Sequence, residues 1–313
     1  MSKKYRNRIL EVNILYLILG IGLIYLGSMA QNREMYSGLL ITEYILILLP
    51  SLTYLKIGGF SLRRVLRLNR ITFKQILMII GITIFTYPVA IFFQAIFIGI
   101  LSRFIEVRQH IVPMPESSTQ YIISFLIMAV SPGICEEIMF RGVMLHGYKD
   151  LGYKKSIIIT GILFGIFHFT LLNLVGPIVL GIIFGIMVYK TDSIYSSMLA
   201  HTINNSIALS LGYILNKYGY LIDEYVENTP TSVDMAPTIG ASIIAIGFFV
   251  ACLFIVITLL KKLSPKRSNG IEVLNYEIDN LLSYNRELYG LEYIPVFIVI
   301  VMYIYINWKY IIL

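Results

Sequence analysis

The chain has 313 residues, of which 57% are hydrophobic and 14% charged, and it carries a formal net charge of +7. Soluble domains carry about 25% charged residues, so a mean hydropathy of +0.78 excludes a water-facing surface of ordinary polarity. The positive balance does not imply nucleic acid, because Lys and Arg gather in short segments beside apolar runs, as membrane topology demands.

A bilayer-spanning helix needs about 20 apolar residues. Helices are the expected form, since the hydrocarbon core gives the backbone no water to bond with, and the alternation of a membrane barrel is absent. Nine spans are expected, at 9–29, 39–55, 76–103, 120–142, 156–172, 175–190, 194–214, 238–260 and 293–312. The fold class is therefore all-α, a polytopic membrane helix bundle. The run from Ile9 to Met29 follows a basic start, but it is too long for a cleaved signal core and has no A-x-A site, so it reads as a retained first span. The third span contains Pro88, which predicts a kink or strong tilt. The fifth and sixth are parted only by the Asn173–Pro177 break and read as a hairpin or a partly re-entrant pair. Cys135 and Cys252 both fall inside spans, so no disulfide framework is implied.

Charge sets the orientation. Lys3, Lys4, Arg6 and Arg8 precede the first span, and Lys56, Arg63, Arg64, Arg67, Arg70 and Lys74 follow the second. Lys149, Lys154 and Lys155 follow the fourth, and Lys261, Lys262, Lys266 and Arg267 the eighth, while the 215–237 loop is acidic. A multi-pass cell-membrane protein with a cytoplasmic N-terminus and an external C-terminus satisfies the positive-inside rule at every loop. Between Ser61 and Lys74, Leu62, Val65, Leu66 and Leu68 accompany the arginines. That stretch reads either as an interfacial helix on anionic lipid or as a basic, topology-setting loop. Residues 268–292 read as a cytoplasmic linker.

Ionisable residues at bilayer depth are costly and mark function by default. Glu11 and Glu43 lie near span ends and read as interfacial groups reaching water. The others concentrate in one region: Glu136, Glu137 and Arg141 in span four, His168 in span five, and His201, Asn204 and Asn205 in span seven. At about 100° per residue, Glu137 and Arg141 share a face and can pair at i,i+4, whereas Glu136 points a quarter turn away with its carboxylate free. Phe164 and His168, and His201 and Asn205, repeat the i,i+4 relation. Three polar faces at mid-membrane or in the cytoplasmic half are thus expected to converge on one site. His110 and His146 fall in loops and receive no role; Cys135 reads as a small packed residue.

These residues also carry a resemblance. Glu136-Glu137-x-x-x-Arg141, Phe164-x-x-x-His168 and His201-x-x-x-Asn205 resemble the three-motif signature of the type II CAAX prenyl endopeptidase and bacteriocin-processing (CPBP) family. Gly181-x-x-x-Gly185 and the Thr191-Asp192-Ser193-Ile194 turn fall within the same stretch. The resemblance implies a catalytic core at 120–214, with accessory spans at 1–119 and 215–313. It implies an intramembrane endopeptidase in which Glu136 and His168 activate water, His201 and Asn205 donate hydrogen bonds to the oxyanion, and Glu137 and Arg141 orient. The expected partners are the lipid bilayer and a membrane-associated peptide or protein substrate reached from the cytoplasmic side, with no nucleic acid. The Ile-, Lys- and Asn-rich usage suggests a low-GC bacterium, where peptide maturation suits better than a prenylated tail. No cofactor is expected. The rival is a zinc enzyme with Glu136, His168 and His201 as ligands and an open fourth position, although H-E-x-x-H is missing. Two other classes compete: a proton-coupled transporter and a non-catalytic immunity or scaffold protein.

Overall fold

The computed structural model describes residues 8–105, 114–227, 235–263 and 290–312. The described residues form ten helices: α1 (Arg8–Arg33), α2 (Met35–Ile57), the short α3 (Leu62–Val65), α4 (Phe73–Leu101), α5 (Ser118–Leu151), α6 (Tyr153–Ile166), α7 (Val175–Thr191), α8 (Ile194–Glu227), α9 (Met235–Lys262) and α10 (Ile294–Ile312). Local chemistry sets several starts. Thr72 and Gln75 form a reciprocal capping box at α4, and the Ser117 hydroxyl accepts from the Gln120 N–H at α5. At α2 the Glu34 carboxylate accepts from the N–H groups of Tyr36 and Ser37. Hydrogen bonds from Ser37 and then Tyr36 hold that carboxyl below its usual range. Pro88 lies inside α4, which stays one continuous helix.

Among the described residues, seven helical stretches are long and apolar enough to cross a membrane, and they lie in α1, α2, α4, α5, α7, α9 and α10. The chain is thus a multi-pass helical membrane protein. The two expected spans outside this set, 156–172 and 194–214, are present as α6 and α8. Helix α6 has 14 residues, about 21 Å at 1.5 Å per residue, against a hydrocarbon core of about 30 Å. Helix α8 is long, but His201, Asn204, Asn205, Ser206 and Ser210 interrupt its apolar run. It also stays helical to Glu227, where a loop was expected from 215. The proposed linker falls almost entirely on 264–289, outside the described residues, as does His110.

Contacts sort the helix ends into two groups. At one end, Tyr148 near the close of α5 donates to Asn13 of α1, and Asn13 donates to the Glu292 carbonyl before α10. Tyr54 of α2 donates to Glu11 of α1, and Phe60 packs edge-on against His146 of α5. The arginine-rich segment lies here too. Of the two readings offered for it, the structure keeps only a four-residue helix. Its continuation docks on the turn between α7 and α8. Arg67 pairs with Asp192 at 3.4 Å, Asn69 Nδ2 donates to the Asp192 carbonyl at 2.7 Å, and the Ile194 N–H donates to the Arg67 carbonyl. At the other end, Tyr36 of α2 bonds Ser124 of α5, and Asn307 of α10 bonds the chain between α6 and α7.

The α6–α7 hairpin is a close backbone crossing. A Cβ at Gly181 would lie 2.9 Å from the Gly161 Cα, and one at Gly165 would lie 2.7 Å from the Leu174 carbonyl oxygen. Small residues let two backbones meet in lipid, where no hydrophobic drive favours one apolar neighbour over another. Gly181→Leu is expected to destabilise the protein by about 1–3 kcal/mol through overpacking, measured as a lower unfolding midpoint in detergent. An unchanged midpoint would show that the hairpin can open at no cost.

Candidate active site

The site is built around a buried carboxylate. Glu137, fully buried, accepts from Arg141 Nη1 at 2.7 Å and from His201 Nδ1 at 2.9 Å, both on Oε1. The Arg141 side chain is 3% exposed. Its second amino group donates to the Gly181 carbonyl at 3.1 Å, and its guanidinium lies 4.5 Å from the centre of the Phe164 ring. The pair therefore joins α5 to α7 and α8, and a cation–π contact adds α6. A close approach at Gly133 lets it form: a Cβ there would press on the Thr202 side chain and sit 3.2 Å from the Thr202 nitrogen.

Above this base lies a cavity of about 340 Å³ lined by Glu136, His168, His201, Asn204 and Asn205, among others. The convergence expected from the helix spacing is what the structure holds. Glu136 Oε2 is buried with no hydrogen-bond partner and stands 4.0 Å from His201 Nε2. The two imidazoles are held alike. His168 Nδ1 faces the Phe164 carbonyl at 2.9 Å, and His201 Nδ1 faces Glu137. Both acceptors lack hydrogens, so each Nδ1 carries the proton and each Nε2 is left for the cavity. Both rings stand edge-on to Phe164, at 5.2 and 5.7 Å. Asn205 gives one Nδ2–H to the Met128 carbonyl at 3.1 Å and accepts from Asn204 at 3.2 Å, so its second N–H is free to serve a ligand.

The mouth lies toward one end of the bundle. The exposed lining residues are Ile91, Asn173 and Ala208, all toward the end remote from the arginine-rich segment. Ile91 is 18 residues past Phe73 (91 − 73), about 27 Å along α4.

Several contributors gave no sequence signal. The chain from Phe167 to Gly176 is clamped by two carboxamides. Asn307 of α10 accepts from the Leu171 N–H at 2.7 Å and donates to the Phe169 carbonyl at 3.3 Å. Gln94 of α4 accepts from the Gly176 N–H and donates to the Leu172 carbonyl, both at 2.9 Å. Phe169, next to His168, has φ +52°, a left-handed conformation that non-glycine residues need outside support to keep. An isolated Asn or Gln in an apolar run does not reveal such a distant partner. Glu43 departs from expectation in the other direction: it is 6% exposed, its Oε2 has no partner, and it is within electrostatic reach of Glu136. It is a buried carboxyl behind the site, because α2 packs its middle against α5. Cys135 is fully buried in the main apolar cluster. Among the described residues, no group of three or more His, Cys, Asp or Glu side chains is placed to hold a metal ion.

A multi-pass helical protein with a Glu- and His-lined cavity between its helices is the class that fold and site define. Residues 118–207 match the family model described as type II CAAX prenyl endopeptidase Rce1-like, which supports CPBP family membership for this stretch. The match runs from the first turn of α5 to just past Asn205 and includes all three motifs. No curated protein and no solved structure matches the chain.

Breaking a buried ion pair leaves an uncompensated charge and costs about 3–5 kcal/mol. Arg141→Met is expected to lower stability by that order, and the double variant Glu137→Gln/Arg141→Met by less, in denaturant titrations of the purified protein. Equal losses would show that Glu137 finds its compensation elsewhere. Asn307→Leu, which keeps volume and removes both clamp bonds, is expected to raise hydrogen exchange of the 167–176 amides about tenfold while leaving α6 and α7 protected.

Proposed function

We propose that the chain is an intramembrane endopeptidase that hydrolyses a peptide bond of a membrane-associated peptide without a metal. The observation that carries this reading is the meeting, in one cavity, of the Glu136 carboxylate, whose Oε2 has no hydrogen-bond partner, with two imidazoles whose Nδ1 atoms are each engaged elsewhere. The family match supports protease chemistry in general. The residue roles, the metal independence, the substrate and the cytoplasmic N-terminus belong to the proposal.

Water held between Glu136 and His168 gives one hydrogen bond to His168 Nε2 and its proton to the Glu136 carboxylate as its oxygen attacks the peptide carbonyl. Glu136 then returns that proton to the leaving amine. The negative charge that develops on the carbonyl oxygen is met by the free N–H of Asn205 and by His201. Because His201 has given Nδ1–H to Glu137, its Nε2 donates to that oxygen only when it too carries a proton. Glu137 and Arg141 touch no reacting atom and position His201. Zinc held by Glu136, His168 and His201 is the rival route, and chelation distinguishes the two.

On membrane-tethered reporter peptides, Glu136→Gln and His168→Ala are expected to lower cleavage by about 10²–10⁴-fold, the range for loss of a general base. Asn205→Ala should cost about 10²–10³-fold, as for one oxyanion donor. All three should keep the wild-type unfolding midpoint, and strong chelators should have no effect. Chelator inactivation reversed by zinc would overturn the metal-free route. Solute flux that survives Glu136→Gln would favour a transporter.

A further inference from the structure

The depth of the cavity along its own helices points to a side of the membrane. The chemical groups sit low: His201 is seven residues past Ile194 (201 − 194), about 10 Å into α8. The exposed rim sits high. Ala208 is 14 residues past Ile194 (208 − 194) and Gln94, which holds the Asn173 loop through Leu172 and Gly176, is 21 past Phe73 (94 − 73). These correspond to about 21 and 31 Å. Phe164, Phe184 and His201 at the closed end are buried, whereas Ile91, Asn173 and Ala208 are exposed. The cavity therefore runs from mid-bundle toward one end of the molecule.

That end is the one poor in basic residues. Phe73 and Ile194 begin their helices beside Arg63, Arg64, Arg67 and Arg70, and the helix ends that meet there also bear Lys56, Lys149 and Lys261. At the rim end the described residues carry Arg33, Arg103 and Lys217 beside Glu34 and Glu116, against the larger basic set at the other end. Lys and Arg are retained on the cytoplasmic side of a membrane. We infer that the cavity opens to the extracytoplasmic face, so that the substrate is a membrane-associated peptide whose scissile segment is exposed on that face, having already crossed or been inserted. This rests on the endopeptidase reading for the cleavage step, but not for the direction of the opening. It reverses the cytoplasmic access expected from sequence, because span order fixes which helices carry the polar groups and not toward which end the space between them widens.

Two measurements on the full chain in intact cells test this. Asn173→Cys and Ala208→Cys at the rim, and Arg63→Cys on the basic segment, are treated with a membrane-impermeant maleimide. Wild type serves as the blank because Cys135 and Cys252 are buried. At least one rim variant is expected to label tenfold or more above the blank in intact cells, and Arg63→Cys only after permeabilisation. Rim labelling that requires permeabilisation overturns the inference. In parallel, anchored reporters present the same scissile peptide on the outer or the inner face, with Glu136→Gln as control. Cleavage of the outer reporter by wild type but not by Glu136→Gln supports it. Cleavage of the inner reporter alone overturns the sidedness and leaves the endopeptidase reading standing. Failure to cut either, with the rim labelled from outside, overturns the endopeptidase reading and leaves the direction of the opening intact.

Discussion

The site depends on one buried charge being neutralised in place. A carboxylate inside a helical bundle, shielded from water, is strongly unfavourable alone. Glu137 is kept there by two donors that approach the same oxygen, Arg141 from its own helix and His201 from α8. Because Arg141 also grips the Gly181 carbonyl and lies against Phe164, satisfying that charge draws α5, α6, α7 and α8 together. The close glycine crossings at 133, 161 and 181 follow from this, since a polar network this short needs helix backbones nearer than ordinary side chains allow.

Packing and chemistry are then the same arrangement seen from two sides. The face of His201 that bonds Glu137 is structural, and its opposite nitrogen faces Glu136 and the cavity. His168 is anchored to its own helix by the Phe164 carbonyl. Each imidazole has one nitrogen spent on orientation, so the other is directed without a search among rotamers, and such preorganisation is what electrostatic catalysis requires. The arrangement also explains why α6 is short. Helical hydrogen bonding ends at Ile166, so that the carbonyl of Phe164 is available to a side chain and the chain can turn at Phe169.

Much of this was legible in the sequence because lipid makes polar residues conspicuous. Glu137 and Arg141 at i,i+4, the lone carboxyl of Glu136, and the turns bearing His168 and His201 stand out against apolar runs, and their periodicity alone places them on inward faces. What could not be read depends on contacts between residues far apart in the chain. Asn307 meets Leu171 across 136 positions and Gln94 meets Leu172 across 78, and a single amide in a span looks the same whether it clamps a loop or merely packs. Glu43 was misjudged for a related reason. Its place near the start of the expected span 39–55 suggested a span end, but α2 begins earlier, at Met35, and packs this stretch against α5, so the carboxyl is buried instead of reaching water.

The position of Glu43 bears on why two neighbouring carboxyls can behave differently. Glu136 and Glu137 are adjacent in the chain, yet one is matched by Arg141 and His201 while the other has an unpartnered oxygen and a second buried carboxyl, Glu43, within electrostatic reach. Like charges confined together resist simultaneous ionisation, whereas a charge bonded to a guanidinium does not compete for a proton. The helical quarter turn that separates the two side chains thus assigns one to holding the bundle and leaves the other facing the cavity. An exchange of Glu136 for Asp would retract the carboxyl from the cavity and leave Glu137 its two donors, because the bonds that hold Glu137 come from Arg141 and His201 and none of them from Glu136.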